Sequence, residues 1–194
     1  MRIEPIPLDE LDPELRARFE AGAEEGRYSM LTPLQIFAYA KNQALASDEH
    51  YRMTFKQGLL GPRMEELIRI ASAQYNGCGP CSSSRKDDSI GDDDVACMLD
   101  GLDDPTYSER EKRALKFVRL MCTDHHAIDD EVLRSLGEVF TVAEVVELGL
   151  ITGRFLGSHR WMHVLDVFST DPPVLTYDPR QVNARFEDVA VTAD

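Results

Sequence analysis

The sequence contains no apolar run that approaches the roughly 20 residues of a membrane-spanning helix. Its first fifteen residues are acidic and interrupted by proline, which is not the pattern of a signal peptide. We therefore expect a soluble, cytoplasmic protein that does not associate with membranes.

Basic residues are scarce relative to acidic ones. The 194 residues include 21 lysines and arginines against 35 aspartates and glutamates, which gives a formal net charge of −14. A surface of this sign repels phosphate backbones, so nucleic acid is not an expected partner. The length suits one domain that buries its own core, with room for an additional arm.

Cysteine is too rare for a disulfide framework, because the chain has only four. Cys78 and Cys81 stand together in the run Asn-Gly-Cys-Gly-Pro-Cys. In a reducing compartment such a Cys-x-x-Cys pair is more often catalytic or metal-binding than structural. Cys97 and Cys122 lie in apolar runs, and we interpret both as small buried hydrophobic residues.

The chain also lacks the alternating polar and apolar pattern of strands, whereas patterns of period 3.6 recur between turn signals. The sequence therefore predicts an all-α fold. Predicted helices follow Asp12, cover 33–45 and 50–57, precede the cysteines, run from Cys78 to about Asp88, and fill most of 92–168. Ser108 with Glu111 and Thr141 with Glu144 read as capping boxes.

The helix before the cysteines is apolar over most of its circumference. At 100° per residue, Glu65, Arg69, Ser72 and Asn76 share one stripe, which we predict to face solvent. Glu66 lies instead on an apolar strip. Burial there raises the pKa of a carboxyl group, which suits a residue that carries protons.

The two cysteines follow Asn-Gly and open the next predicted helix. Unpaired amides in a first helical turn stabilise a thiolate, and Arg85 and Lys86 would add to that effect. Two cysteines three residues apart can also close a disulfide. The tetrapeptide matches thioredoxin, but a helix rather than a strand precedes it, so we reject the thioredoxin fold.

The stretch ELIRIASAQYNGCGPCSSSRKDDSIGDDDVACMLDG resembles the core of the alkylhydroperoxidase D-like proteins, in the carboxymuconolactone decarboxylase superfamily. The resemblance rests on a glutamate twelve residues before the first cysteine, on NGC-x-x-C, and on the downstream helices. It covers residues 30–168. It implies a helical bundle that forms homo-oligomers (dimers, trimers or hexamers) without a cofactor or a metal. We divide the chain into an arm and helix (1–30), the helical domain (31–168) and an extended tail (169–194).

The resemblance implies a thiol-dependent peroxidase in which Cys81 attacks a small hydroperoxide, Cys78 resolves the product and Glu66 relays protons. A dithiol electron donor, lipoyl- or thioredoxin-like, would complete the cycle. Arg85 stands where the family has a histidine. Its guanidinium cannot replace imidazole as a base, although it can hold a thiolate or an anion.

His159 and His163 lie four residues apart on the last predicted helix. Three interpretations are open. Both histidines can be structural residues satisfied by packing and hydrogen bonds, one of them can replace the missing histidine, or both can form a zinc site with Cys78 and Cys81. The alternative function is a cofactor-free decarboxylase, lyase or isomerase that acts on a small organic acid, with Arg85 binding a carboxylate.

Overall fold

The computed structural model describes residues 1–99 and 105–167, so the predicted tail 169–194 lies outside the described residues. Within these ranges the chain is helical and contains no strand, as the all-α prediction requires. The helices are α1 (Pro13–Glu24), α2 (Thr32–Phe37), α3 (Lys41–Gln57), α4 (Pro62–Tyr75), α5 (Gly79–Ser83), α6 (Asp92–Cys97), α7 (Glu109–Thr123), α8 (Asp130–Gly137) and α9 (Val142–Leu165). None of the helices in these ranges is long and apolar enough to cross a membrane.

Side-chain caps set several helix starts where the sequence places them. The Asp12 carboxylate accepts a hydrogen bond from the amide two residues on, at 3.0 Å, and α1 begins with proline. Ser108 with Glu111 and Thr141 with Glu144 form the two predicted capping boxes. Each box pairs amides that would otherwise lack a partner at the start of a helix, and this stabilises α7 and α9.

Three predicted helix boundaries are wrong. The helix predicted over 33–45 stops at Phe37, because the turn Ala38–Ala40 interrupts it and α3 then begins at Lys41 and includes the predicted 50–57 helix. The helix predicted to run to Asp88 ends at Ser83, because tertiary contacts replace its helical hydrogen bonds. The last helix ends at Leu165 rather than Phe168, where Asp166 takes a left-handed conformation.

The centre of the fold is α4, which packs against α5, α7 and α9. Its Leu67, Ile68 and Ile70 side chains are completely buried. The solvent-facing stripe predicted on this helix is wrong, because its members Arg69, Ser72 and Asn76 are buried as well. From Glu66 to Tyr75, α4 is therefore enclosed on all sides, and polar partners rather than water must satisfy its polar face.

A second apolar cluster joins the N-terminal helix to α3. It consists of buried residues from α1, the segment before it, α2, α3 and the turn between them: Leu11, Leu15, Phe19, Leu34, Ala38 and Ala44. Asp12 also binds Lys41 Nζ at 2.6 Å across this contact. α1 is thus packed onto the bundle by an apolar contact with an ion pair at its edge.

Gly77 should be sensitive to substitution because its φ is +67°. A Cβ there would meet only His163 Nδ1, at 4.0 Å, so the cost is in the backbone. We expect Gly77→Ala to lower the free energy of unfolding by about 1–2 kcal/mol, measured by urea denaturation.

Gly137→Ala is the matched control, since a Cβ at the end of α8 would meet nothing within 4 Å. This change should be neutral or stabilising by up to about 1 kcal/mol. Equal effects of the two substitutions would contradict a backbone cost at Gly77.

Candidate active site

The end of α4 places the cysteine pair. Asn76 and Gly77 end the helix, and the Cys78 amide donates to the Ala73 carbonyl at 2.9 Å. Cys78 and Cys81 are joined by a disulfide with their Cα atoms 5.3 Å apart. Cys78 is 2% exposed, whereas Cys81 is only partly buried and lines a cavity. The two sulfur atoms therefore have different access to a substrate.

The cavity beside Cys81 has a volume of about 110 Å³ and is partly enclosed. Aromatic side chains form much of its wall: Phe19, Tyr28, Phe37, Tyr51 and Phe155. Charged side chains also reach it: Arg27, Asp48, Arg69, Lys86 and Arg154. The site thus combines an apolar interior with an excess of positive charge.

Glu66 is buried, at 4% exposure, as the sequence predicts. Its predicted apolar surroundings are wrong, because Arg69 one turn on donates to both carboxylate oxygens at 2.6 and 2.7 Å. The Lys86 amide donates to the same carboxylate at 2.8 Å. Glu66 is therefore held in a hydrogen-bonded ion pair at the base of the site.

Arg69 uses its remaining hydrogens on the segment that carries the dithiol. It donates to the Cys81 carbonyl and, at 2.8 Å, to the Ser84 carbonyl. These contacts take the carbonyls that a longer α5 would have used, which explains why the helix stops at Ser83. A helix of five residues also supplies little of the helix-start stabilisation predicted for the thiolate.

Lys86 lies in the cavity wall. Its Nζ donates to the Arg27 carbonyl and to the Tyr51 hydroxyl, and it sits 4.7 Å from the centre of the Tyr51 ring. Burial, with the nearby charge of Arg69, lowers the pKa of Lys86 to about 7. Lys86 can therefore both accept and release a proton near neutral pH.

Arg85 points elsewhere. Its guanidinium donates to the carbonyls of Ser82 and Ser84 at 2.7 and 3.1 Å, and it lies 3.4 Å from the Asp92 carboxylate. It does not line the cavity beside Cys81. Of the two basic residues predicted to favour a thiolate, the structure brings Lys86 to the cavity but not Arg85.

The two candidate histidines lie in different environments. His159 is buried in the cavity wall, with its Nδ1 3.2 Å from Ser72 Oγ and its ring stacked on Phe155. Burial lowers the pKa of His159 to about 3, so its ring is neutral at physiological pH. His163 is exposed. In the described ranges no three histidine, cysteine or acidic side chains are close enough to bind a metal ion together.

Glu65 was predicted to be a solvated surface charge, and this is wrong. The side chain is half-buried, and burial together with Glu147 raises its pKa to about 8. Glu65 approaches Gly58, where a Cβ would lie 1.9 Å from its carboxylate oxygen. Close packing against α9 and the turn at Gly58 thus shields Glu65 partly from water.

Sequence reasoning did not identify Tyr51, Asp48 or Arg154 as site residues. They come from α3 and α9, which are far from the cysteines along the chain. Helical periodicity ranks residues within one helix and gives no information on which distant helices meet. Arg69 did have a local signal, because it stands one turn after Glu66 with the opposite charge.

No protein-family model matches the sequence, and no curated protein matches it. Solved structures do match. The debrominase Bmp8 in its apo form has a TM-score of 0.71 and 16% identity over 93% of this chain and 95% of that one. A cysteine-to-alanine variant of Bmp8 in complex with 2,3,4-tribromopyrrole has a TM-score of 0.72 and 16% identity, over 95% and 97% of the two chains.

The alkylhydroperoxidase AhpD core of a peroxidase-related protein from Ralstonia eutropha JMP134 also matches. Its TM-score is 0.66, with 21% identity over 84% of this chain and 88% of that one. The chain has the alkylhydroperoxidase D-like fold. The fold that the sequence resemblance implied is therefore confirmed.

The Glu66–Arg69 pair can be tested by its contribution to stability. We expect Arg69→Met to lower the free energy of unfolding by about 3–5 kcal/mol, because it leaves a buried carboxylate without its partner. The double variant Glu66→Met/Arg69→Met should recover part of this loss, since it removes both charges. Urea denaturation of the oxidised protein provides the measurement.

Arg16→Met is the control, because it breaks an exposed ion pair with Glu20 four residues on. Its effect should stay below about 0.5 kcal/mol. A loss in Arg69→Met no larger than in this control would show that the buried pair does not support the fold.

Proposed function

We propose that the protein is a dithiol–disulfide oxidoreductase that reduces a small organic hydroperoxide with Cys78 and Cys81. One observation carries the proposal. Two cysteines at disulfide distance differ in exposure, and the more accessible one, Cys81, lines the aromatic cavity. The alkylhydroperoxidase D-like fold supports this class of chemistry.

The difference in exposure assigns the roles. Cys81 borders the cavity and is the sulfur that a substrate can reach, so it is the attacking residue. Cys78 is buried next to it and is the resolving residue. The sequence resemblance implies the same roles for both cysteines.

The proposed cycle transfers two electrons. The Cys81 thiolate attacks the terminal oxygen of the hydroperoxide, so that an S–O bond forms and the O–O bond breaks. The alkoxide leaves with a proton as an alcohol, and Cys81 becomes a sulfenic acid. Cys78 attacks the Cys81 sulfur, which forms the disulfide and releases water. An external dithiol, itself oxidised to a disulfide, restores both thiols.

Lys86 is the proton carrier in this proposal. Arg85 lies outside the cavity, and His159 has a pKa too low to hold a proton at neutral pH. Neutral Lys86 accepts the Cys81 proton and later gives it to the leaving alkoxide. Glu66 accepts the Lys86 backbone amide, and its charge also favours the protonated form of the Lys86 side chain; we assign Glu66 a positioning role.

A second candidate within the same chemistry is the reductive removal of a halogen from an aromatic ring. The aromatic cavity wall favours it, and the fold is shared with the debrominase Bmp8. In this reaction one aryl bromide and the reduced Cys78–Cys81 dithiol are converted to the arene, hydrogen bromide and the Cys78–Cys81 disulfide. Bromide release from 2,3,4-tribromopyrrole would distinguish this activity from peroxide reduction.

Cysteine variants test the central proposal. The fully reduced protein should consume one equivalent of cumene hydroperoxide and form the Cys78–Cys81 disulfide, followed by stopped-flow absorbance and peptide mass spectrometry. Cys81→Ser should slow consumption by roughly a hundredfold or more, because the nucleophile is lost. Cys78→Ser should instead accumulate a sulfenic acid at Cys81 that dimedone traps.

Cys97→Ser is the control and should behave as wild type, since Cys97 does not line the cavity. Equal peroxide consumption by wild type and Cys81→Ser would refute the proposal. Decarboxylase, lyase or isomerase activity that survives in Cys78→Ser/Cys81→Ser would favour the organic-acid alternative.

Lys86 gives a pH prediction. The rate of peroxide reduction should rise as the pH passes through about 7, because neutral Lys86 accepts the thiol proton above its pKa. In Lys86→Met the rising limb should move toward the ordinary thiol pKa of roughly 8.5. Lys116→Met removes an exposed charge and should leave the profile unchanged. A wild-type profile unaltered by Lys86→Met would exclude Lys86 as the proton carrier.

A further inference from the structure

Arg154 stands between two cavities. It lines the cavity that contains Cys81, and it also lines a larger outer cavity of about 640 Å³. The residues that border both cavities are Phe37, Ala44, Ser47, Arg154 and Ser158. The outer cavity is mainly apolar, with Ile36, Tyr39 and Trp161 in its wall. Arg154 is therefore the charged residue of the partition between them.

Within the described residues the Arg154 guanidinium forms no salt bridge, and the charge of Asp48 acts on it only from beyond ion-pair distance. Its Nε is buried without a hydrogen-bond partner, and no carboxylate in residues 1–99 and 105–167 lies within ion-pair distance of it. Its packing partner is the Tyr51 ring, whose centre is 4.1 Å from Cζ. The Arg154 side chain is only partly exposed, and a partly buried charge without an ion-pair partner is costly, so folding alone does not explain its presence.

The other basic residues at the inner cavity already have hydrogen-bond partners within the protein. Arg27 donates to Asp48 Oδ1 at 2.7 Å, and Arg69 binds Glu66. Lys86 has hydrogen-bond partners on Tyr51 and on the backbone. Arg154 is thus the cavity-lining arginine whose donors are available for a bound anion.

We propose that Arg154 binds the carboxylate of the substrate, which is then a small apolar hydroperoxide bearing a carboxylate group. The guanidinium is suited to planar carboxylates because it can donate two parallel hydrogen bonds. The peroxide end extends into the inner cavity toward Cys81, and the outer cavity is the entrance. This inference rests on the proposed function for the reaction but not for the anion site.

Binding is tested without turnover. Benzoate should protect Cys81 of the reduced protein from alkylation by iodoacetamide, read by peptide mass spectrometry, whereas its neutral isostere benzamide should not. In Arg154→Met, the benzoate concentration that gives half-maximal protection of Cys81 should rise about tenfold or more, because a charge-assisted hydrogen-bonded pair is lost. Arg134→Met removes an exposed charge from α8 and should protect as wild type does.

Thermal stability separates binding from a structural role. Replacing a partly buried charge that lacks an ion pair by an apolar side chain of similar length should change the Tm of the ligand-free protein little, because removal of the charge offsets the lost contact with the Tyr51 ring. A Tm lowered as far in Arg154→Met as in Arg69→Met would show that the residue supports the fold through a strong partner, and this would overturn the proposal. Equal protection by benzoate and benzamide, or protection that Arg154→Met leaves unchanged, would also overturn it.

Kinetics connect the site to the reaction. Wild type should prefer 4-carboxycumene hydroperoxide to cumene hydroperoxide in kcat/KM, and Arg154→Met should lose about tenfold of this preference. If neither peroxide is reduced while benzoate still protects Cys81 through Arg154, the proposed function fails and the anion site stands. If wild type reduces both peroxides at equal rates, the anion site is refuted while the proposed function stands.

Discussion

The ion pair between Glu66 and Arg69 organises the site. Glu66 accepts the Lys86 amide, while Arg69 holds the carbonyls of Cys81 and Ser84. Through these contacts, one turn of a central helix positions Cys81, the end of its helix and the backbone of Lys86. The pair is buried, so its hydrogen bonds are strong and its geometry is narrowly defined.

A pair of charges at the centre of a helical bundle is compatible with stability only when both partners are fully hydrogen-bonded. Here the carboxylate accepts from the guanidinium and an amide, and the guanidinium also donates to two carbonyls. The apolar faces of α4 pack against α7 and α9 around it. The polar network therefore occupies a side of α4 where the backbone after the cysteines offers carbonyls to its donors.

Sequence patterns predicted the elements better than their surroundings. The capping boxes were found because both partners lie within four residues, and the burial of Glu66 was found because it follows from the periodicity of its own helix. The face of Arg69 was misjudged, since periodicity assumes that a polar stripe faces water. That assumption fails when a neighbouring loop supplies carbonyls to be satisfied.

The length of α5 and the different locations of Arg85 and Lys86 were not predictable for a related reason. Local propensity allows the helix to continue to Asp88, but Glu66 and Arg69 bind the backbone of Ser84 and Lys86 and stop it. The same tertiary contacts bring Lys86 to the cavity and leave Arg85 outside it. Two adjacent basic residues thus acquire different environments through contacts that lie twenty residues away in sequence.

The burial of Cys78 has a kinetic consequence. In the proposed function, a reducing dithiol would form its mixed disulfide with Cys81 and release Cys78, because Cys81 borders the cavity and Cys78 is buried. Under the proposed cycle, oxidant and reductant therefore use the same opening and cannot occupy it together. The protein would then follow ping-pong kinetics. The peroxide reacts with the dithiol form and the reductant with the disulfide form, so either substrate at high concentration would inhibit by occupying the form with which the other reacts.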